Sequence, residues 1–162
     1  MSKQALPLST PVAVIGAGAM GAGIAQVAAQ AGHPVRLLDN RPGAAEQAVA
    51  DIRAQLAKLA DKGRLSPEAA QAAGDRLSAA ASSAELADAG LVIEAIVENL
   101  EVKRALFREL EAICGADCIF ATNTSSSSVT AIAAGLQAPG RLVGMHFFNP
   151  APLMALVEIV SG

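Results

Sequence analysis

An apolar segment, GMHFFNPAPLMALVEIV from Gly144 to Val160, contains three polar residues that could do chemistry: His146, Asn149 and Glu158. Burying such side chains without partners is costly, so their presence in a hydrophobic run favours a specific role. An imidazole exchanges a proton near neutral pH, and a neighbouring carboxylate fixes its tautomer and stabilises the protonated ring. The segment is therefore a candidate for acid–base chemistry, with His146 as the expected base.

The spacing of His146 and Glu158 predicts that the two residues face each other. Leu142 to Phe147 and Leu156 to Val160 are apolar runs of the length and composition of buried strands. If the second run folds back antiparallel, with its turn centred near Pro152, His146 lies directly opposite Glu158. Such a pair would resemble two members of a catalytic triad.

A second informative segment is VAVIGAGAMGAGIA, near the start of the sequence. Gly16, Gly18 and Gly21 follow a predicted strand and open a predicted helix, which is the context expected of a dinucleotide-binding turn. Gly16 permits a tight turn, Gly18 lets the backbone approach a pyrophosphate, and Gly21 allows close packing of the helix. The free N–H groups of the helix N-terminus favour phosphate. The motif therefore predicts a dinucleotide site.

Asp39 indicates which dinucleotide is bound. It ends the second predicted strand, where a carboxylate can accept both hydroxyls of an adenosine ribose and would repel a 2′-phosphate. Arg41 follows two residues later and could soften that preference or stack on the adenine. We therefore expect NAD, rather than NADP, as the cofactor.

Composition excludes several other classes of protein. The chain has 162 residues, 52% of them hydrophobic, which suits one compact domain. Its net charge is −3 and its 12 lysines and arginines are scattered, so no basic face is expected for nucleic acid or an anionic membrane. There is no secretory pattern and no apolar run suited to a bilayer. We therefore expect a cytoplasmic protein.

The cysteines and the second histidine do not predict a further site. Cys114 and Cys118 lack the additional Cys or His neighbours that zinc would need, and we interpret them as buried, reduced thiols. No metal is expected. His33 lies between a predicted helix and Pro34, and we interpret it as an ordinary loop residue.

Alternating strands and helices must position these residues. The predicted strands are Val12 to Ile15, Val35 to Leu38, Leu91 to Val97, Cys118 to Ala121, Leu142 to Phe147 and Leu156 to Val160. The predicted helices are Ala19 to Ala31, Ala44 to Lys62, Ser66 to about Ala81, Leu100 to Ile113 and Val129 to Leu136. This pattern predicts an α/β fold with a doubly wound, mainly parallel Rossmann-type sheet of order 3-2-1-4-5-6 and a helical pair protruding after strand two.

Polar residues follow three of the predicted strands. Glu94 and Glu98 come after the third, residues 123–128 after the fourth, and residues 146–149 after the fifth. Ligands bind at the carboxyl ends of the strands in open sheets of this class. We therefore expect one site at that edge of the sheet.

Taken together, the chain resembles the NAD-binding domain of the 3-hydroxyacyl-CoA dehydrogenases, including the 3-hydroxybutyryl-CoA dehydrogenases of fatty-acid, butanoate and phenylacetate metabolism. The resemblance runs from about Val12 to Val160 and rests on GAGAMGAGIAQVAA, IEAIVENLEVKRALFREL, NTSS and GMHFFNPAPLMALVE. It implies reversible, NAD-dependent oxidation of (S)-3-hydroxyacyl-CoA to 3-oxoacyl-CoA. Related hydroxyacid dehydrogenases share the first motif but use a lysine base, so the last motif separates the two groups.

The resemblance also implies roles for individual residues. His146 and Glu158 match the family's catalytic pair. Ser125 matches a serine that touches the substrate oxygen and the nicotinamide, and Asn149 matches an asparagine near the nicotinamide end. Lys62 matches a lysine that meets the phosphates of coenzyme A, while Gln55 stands where the family often has a small polar residue. The implied cofactor contacts are Gly16, Gly18, Ala19, Met20, Gly21, Asp39, Glu98, Lys103, Ser125 and Asn149.

The resemblance further implies that residues 1–162 are one NAD-binding domain of a longer protein. The family's second, all-helical domain supplies another active-site asparagine, much of the acyl pocket and the dimer surface, and it is not in this sequence. We therefore expect the isolated chain to bind NAD with little or no turnover, and the longer protein to form a homodimer.

Two alternatives to this interpretation stay open. One is a dinucleotide-binding module without turnover, in a structural or sensing role like that of lens crystallins related to these dehydrogenases. The intact acid–base residues argue against it, because a pure binding module does not need them. The other is an enzyme of the 2-hydroxyacid or 6-phosphogluconate type that shares the fold.

Overall fold

A seven-stranded sheet forms the centre of the computed structural model of the protein, which describes residues 4–125 and 127–162. Its strands are β1 (Val12–Ile15), β2 (Val35–Leu38), β3 (Leu77–Ala79), β4 (Leu91–Glu94), β5 (Ile119–Thr122), β6 (Leu142–Phe147) and β7 (Val157–Ser161). The helices are α1 (Ala19–Ala31), α2 (Ala44–Asp61), α3 (Pro67–Asp75), α4 (Leu100–Ile113) and α5 (Val129–Ala133), with short 3₁₀ turns at Ser83–Leu86 and Pro139–Arg141.

The strand order is β3-β2-β1-β4-β5-β6-β7, and all neighbours are parallel except β6 and β7. Strand β1 is buried along its whole length because helices cover both faces of the sheet. In its register, Val12 lies beside Val35 of β2 and Leu91 of β4. The predicted doubly wound, mainly parallel fold is confirmed.

The structure corrects the prediction at the β3 edge. The helix predicted from Ser66 to about Ala81 ends at Asp75, and Leu77–Ala79 forms a strand beside β2. This short strand, rather than Leu91 to Val97, therefore occupies the position predicted for strand three, at the edge of the sheet beside β2. The segment predicted as strand three, Leu91 to Val97, contains β4, which ends at Glu94 and pairs with β1.

The end of α3 has a physical reason in the side chain of Arg53. Its guanidinium donates hydrogen bonds to the carbonyls of Gly74 at 3.0 Å and Leu77 at 2.9 Å. Carbonyls at a helix end need partners, and here a side chain supplies them in place of a further turn. Leu77, 1% exposed, then completes the core as a strand residue.

The helical pair predicted after strand two is present as α2 and α3, but it does not stand away from the sheet. Helix α2 buries one face that contacts β2 and β3, and the small side chains of α3 pack against it. The residues involved are Ala45, Ala48, Val49, Ile52, Leu56, Ala70 and Ala73. The pair is therefore part of the core on one face of the sheet, while α4 and α5 cover the other.

Side-chain caps fix the starts of three helices. Ser66, Asn99 and Ser128 each accept a hydrogen bond from the backbone N–H three residues later, at 3.1, 3.1 and 3.2 Å. These caps satisfy N–H groups that have no partner within the helix. Within the described ranges, none of the helices has the length and apolarity needed to cross a bilayer.

Candidate active site

The glycine turn between β1 and α1 is closed at two positions and open at a third. Gly16 has φ of 106°, and a Cβ there would lie 2.4 Å from the carbonyl oxygen of Ala95. A Cβ on Gly21 would lie 1.6 Å from the carbonyl oxygen of Gly16. Gly18, the N-cap of α1, has nothing within 4 Å of an added Cβ. The open side at Gly18 fits a pyrophosphate that approaches the helix N-terminus.

Asp39 connects the end of β2 to this turn. Its carboxylate accepts hydrogen bonds from the backbone N–H groups of Ala17 at 2.7 Å and Arg41 at 2.8 Å, and from the Arg41 side chain. The Arg41 guanidinium, aided by these backbone donors, lowers the pKa of Asp39 to about 2. The group is therefore ionised at neutral pH, as an acceptor of ribose hydroxyls must be.

A cavity of about 300 Å³ opens at the carboxyl ends of β4, β5 and β6. The structure brings five of the predicted site residues together in its wall: Met20, Glu98, Ser125, His146 and Asn149. Met20 belongs to the first turn of α1, so the cavity adjoins the glycine turn. The expected grouping of polar residues at this edge of the sheet is therefore present in the fold.

His146 and Glu158 face each other in the antiparallel register of β6 and β7, as predicted. Nδ1 of His146 lies 3.6 Å from Oε2 of Glu158, and the two side chains are 29% and 56% exposed. The Phe148 ring packs at a tilt against the imidazole, with 4.8 Å between ring centroids. The imidazole thus has a carboxylate on one side, an aromatic ring beside it and access to the cavity.

Behind the cavity lies a buried ionic network centred on Lys103. Its Nζ donates to Oε2 of Glu94 at 2.7 Å and lies 3.7 Å from Oε1 of Glu98. Thr122 donates its hydroxyl to the other oxygen of Glu94. The Lys103 and Glu94 side chains are 1% and 0% exposed, so Lys103 meets carboxylates rather than the cavity.

Glu98 joins that network to the cavity wall. Its Oε2 accepts hydrogen bonds from the hydroxyls of Thr124 at 2.8 Å and Ser127 at 3.2 Å. The loop that follows β5 is therefore connected through Glu98 to Lys103 and the start of α4. Thr124, directly before Ser125, is thereby held against Glu98.

Other predicted residues lie away from the cavity. Lys62 is the exposed C-cap residue of α2, and Gln55 is exposed on the same helix. Cys114 and Cys118 are buried and free, as predicted. His33 lies in a loop, where its Nδ1 is 3.1 Å from the carbonyl oxygen of Thr10. Across residues 4–125 and 127–162, no three side chains group as metal ligands.

Residues 123–128 were expected at this edge of the sheet, but sequence reasoning missed the contact that Asn123 makes and the burial of Lys103. Asn123 lines the cavity and accepts a hydrogen bond from the backbone N–H of Phe147 at 2.9 Å, which joins the ends of β5 and β6. The burial of Lys103 was also not predicted, although a signal exists. Lys103 shares the buried face of α4 with Phe107 and Leu110, at helical spacing.

The fold is that of a Rossmann-type dinucleotide-binding domain, with a glycine turn at the start of α1 and an ionised acid at the end of β2. Residues 11–162 match the family described as 3-hydroxyacyl-CoA dehydrogenase, NAD binding domain. The chain belongs to this family, which confirms the predicted family and the predicted cofactor, NAD.

Curated relatives and solved structures agree with this assignment. A 3-hydroxyadipyl-CoA dehydrogenase from Escherichia coli is 50% identical over 93% of this chain and 32% of its own length. A probable 3-hydroxybutyryl-CoA dehydrogenase from Bacillus subtilis is 44% identical over 93% of this chain and 53% of its own. The chain therefore spans about a third to about half of the length of these relatives.

The structural similarity is equally close. The crystal structure of a 3-hydroxybutyryl-CoA dehydrogenase from Escherichia coli superposes with a TM-score of 0.93 at 50% identity, covering 97% of this chain and 33% of that one. An (S)-3-hydroxybutyryl-CoA dehydrogenase from Ralstonia eutropha gives 0.89 at 38% identity, covering 95% and 54%.

Proposed function

We propose that this chain is the cofactor-binding domain of an enzyme that reversibly oxidises (S)-3-hydroxyacyl-CoA to 3-oxoacyl-CoA. The carrying observation is that His146 faces Glu158 across β6 and β7 and lines the cavity beside the glycine turn. The relatives named as 3-hydroxybutyryl-CoA and 3-hydroxyadipyl-CoA dehydrogenases support the reaction and the CoA ester.

His146 is proposed as the base that takes the hydroxyl proton of the substrate. Its Nδ1 is turned to Glu158, so Nε2 is left for the substrate. The carboxylate favours the tautomer with hydrogen on Nδ1 and stabilises the imidazolium that forms. Bound NAD would supply the acceptor for the hydride that leaves the carbon bearing that hydroxyl. In the reverse direction the imidazolium returns its proton to the ketone oxygen.

Ser125 and Asn149 are proposed to position the reactants in the same cavity. A serine hydroxyl can donate to the substrate oxygen, and an amide can pair with the carboxamide of the nicotinamide. The backbone of Gly16, Gly18, Ala19, Met20 and Gly21 would hold the pyrophosphate and Asp39 the ribose. Lys103 is proposed as a positioning residue that acts through Glu98, because its own side chain is enclosed by carboxylates.

The complete enzyme is proposed to be longer than residues 1–162. The relatives extend well beyond the matched region, and β7 is exposed along its whole length, with Ile159 60% and Leu156 beside it 58% exposed. A following helical domain would cover this edge, complete the acyl pocket and form the contact of a homodimer. Lys62 of this chain would bind a phosphate of coenzyme A. We propose a cytoplasmic location, where NAD and CoA esters are both available.

The test is turnover of the longer protein, measured as the change in NADH fluorescence. The substrates are acetoacetyl-CoA and then CoA esters with longer and dicarboxylic acyl chains. H146Q is expected to lower kcat about 10²–10⁴-fold, the usual contribution of a general base, and to leave the Kd for NADH within about twofold. H33Q is the matched control, because His33 lies in a loop away from the cavity.

Unchanged turnover in H146Q would contradict the proposed base and favour an enzyme with another proton acceptor. The isolated chain is expected to bind NADH without appreciable turnover. If the isolated chain turned over as fast as the longer protein, the proposal that a second domain completes the site would be wrong.

A further inference from the structure

The Asp39 carboxylate has its hydrogen-bonding capacity filled by the protein itself. Oδ2 accepts from the backbone N–H of Ala17 at 2.7 Å and from a terminal nitrogen of Arg41 at 3.1 Å. Oδ1 accepts from the backbone N–H of Arg41 at 2.8 Å and from its Nε at 3.0 Å. A carboxylate offers about four acceptor positions, so all of them are in use.

The four donors are not equally fixed. The N–H of Ala17 belongs to the closed glycine turn, and the N–H of Arg41 belongs to the backbone two residues after the acid. The Arg41 side chain, by contrast, is 66% exposed, while that of Asp39 is 8% exposed. The guanidinium is therefore the donor that can leave without a change in the backbone.

A ribose with free 2′- and 3′-hydroxyls needs two acceptor positions on this acid. Those positions are the two that the guanidinium holds, so the sugar and Arg41 compete for the same oxygens. A 2′-phosphate changes the balance, because a planar guanidinium binds phosphate through two parallel hydrogen bonds and neutralises its charge. The same side chain therefore opposes one cofactor and supports the other.

We propose that Arg41 is the residue that sets the discrimination of this protein between NAD(H) and NADP(H). Its guanidinium competes with the ribose hydroxyls for Asp39 when the cofactor lacks a 2′-phosphate, and it binds that phosphate when the cofactor carries one. Asp39 alone would reject the phosphorylated cofactor more strongly than the Asp39–Arg41 pair does. This inference rests on the NAD-binding assignment and not on the proposed dehydrogenase reaction.

Removing the guanidinium should move the two affinities in opposite directions. An exposed ion pair is worth little, so loss of the competitor should tighten NADH about two- to fivefold. Loss of charge-assisted bonds to phosphate should weaken NADPH about tenfold or more. The ratio of the two dissociation constants should therefore shift by at least about twentyfold toward NADH.

The experiment titrates the 162-residue chain with NADH and with NADPH, by fluorescence and by calorimetry, for the wild type, R41Q and R41K. K58Q is the matched control, because it removes one positive charge at an exposed position in the last turn of α2. R41K keeps the charge without the planar fork and should give an intermediate ratio. Thermal unfolding of each variant checks that it is folded.

A second readout is the carboxyl titration of Asp39 by NMR. R41Q should raise the pKa of Asp39 from about 2 toward its ordinary value, since the guanidinium is the largest cause of the lowered pKa. This change reports the pair directly, without cofactor.

A ratio in R41Q within about twofold of the wild type would overturn the proposal, as would an equal loss of affinity for both cofactors. Wild-type chain that bound neither dinucleotide would overturn the NAD-binding assignment together with the inference. Normal affinity with an unmoved ratio would overturn the inference alone.

Discussion

Two pairs of polar side chains in this fold are built differently: Glu94 at the end of β4 pairs with Lys103 of α4, and His146 pairs with Glu158 in the outer hairpin of β6 and β7. Glu94 and Lys103 are 2.7 Å apart and almost fully enclosed. His146 and Glu158 are 3.6 Å apart and 29% and 56% exposed, on a hairpin whose last strand is exposed throughout. An enclosed pair cannot lose a proton without leaving an unpaired buried charge, whereas an exposed pair can. Enclosure suits positioning, and exposure suits proton exchange.

The largest expected effect in this comparison is on the stability of the interior pair. K103M should lower the free energy of unfolding of the chain by about 3–5 kcal/mol, because the Glu94 charge is left without its partner. Urea unfolding of K103M beside K58M, an exposed lysine, measures it. The double variant E94L/K103M should recover most of the loss, since an apolar pair leaves no charge behind. A loss below about 1 kcal/mol in K103M would contradict the comparison.

The next effect concerns the glycine turn, also on the interior side. G21A should cost about 2–3 kcal/mol of stability, because its methyl group meets the Gly16 carbonyl. G18A should cost less than about 1 kcal/mol, since its methyl group points into open space. G18A should nevertheless weaken NADH at least about tenfold, because the methyl group occupies the approach of the pyrophosphate. Equal stability of the two variants would refute this distinction.

A smaller effect is expected from Asp39, which lies between the two extremes in exposure. Its pKa in the folded chain, about 2, is below its ordinary value of 3.8. The ionised acid therefore contributes stability that is present above about pH 4 and is lost as the pH falls toward 2. We expect about 1 kcal/mol, limited by the exposure of Arg41. Unfolding measured at several pH values should show that the difference in stability between wild type and D39N shrinks as the pH falls through that window. A constant difference would contradict the lowered pKa of Asp39.

The smallest effect on stability is expected at the hairpin. E158Q should change the free energy of unfolding by no more than about 0.5 kcal/mol, because both partners are solvent-accessible. Turnover of the longer protein should still fall by about tenfold or more, since the imidazolium loses its carboxylate. Denaturation and steady-state kinetics of E158Q beside E68Q, another exposed glutamate, separate the two quantities. A large loss of stability would mean that the hairpin pair is structural.

Much of the fold is predictable from local signals. The bounds of β1, α1, α4 and β6 agree with those expected from sequence, because glycines and capping side chains mark where the chain changes conformation. The register that pairs His146 with Glu158 is also predictable, since a turn centred near Pro152 determines the alignment of both strands. These features depend on residues close together in the chain.

Two of the missed features depend on residues far apart in the chain, and a third depends on the rotamer of one side chain. Strand β3 has only three residues and follows an alanine-rich helix, so its pairing with β2 overrides a helical pattern that continues past Asp75. The enclosure of Lys103 requires carboxylates from β4 and the following loop to converge on α4. The hydrogen bonds from the Arg41 side chain to Asp39 depend on the rotamer of Arg41, which the spacing of the two residues does not determine.

The connection from Phe147 to Val157 sets the register of β7 against β6. Its length decides which residue of β7 stands across from the imidazole, and an insertion or deletion of one residue would bring Val157 or Ile159 there and turn Glu158 to the opposite face. Most surface loops accept added residues at little thermodynamic cost. The number of residues in this connection therefore matters for function. A change in that number would separate His146 from Glu158, although both residues would remain in the sequence.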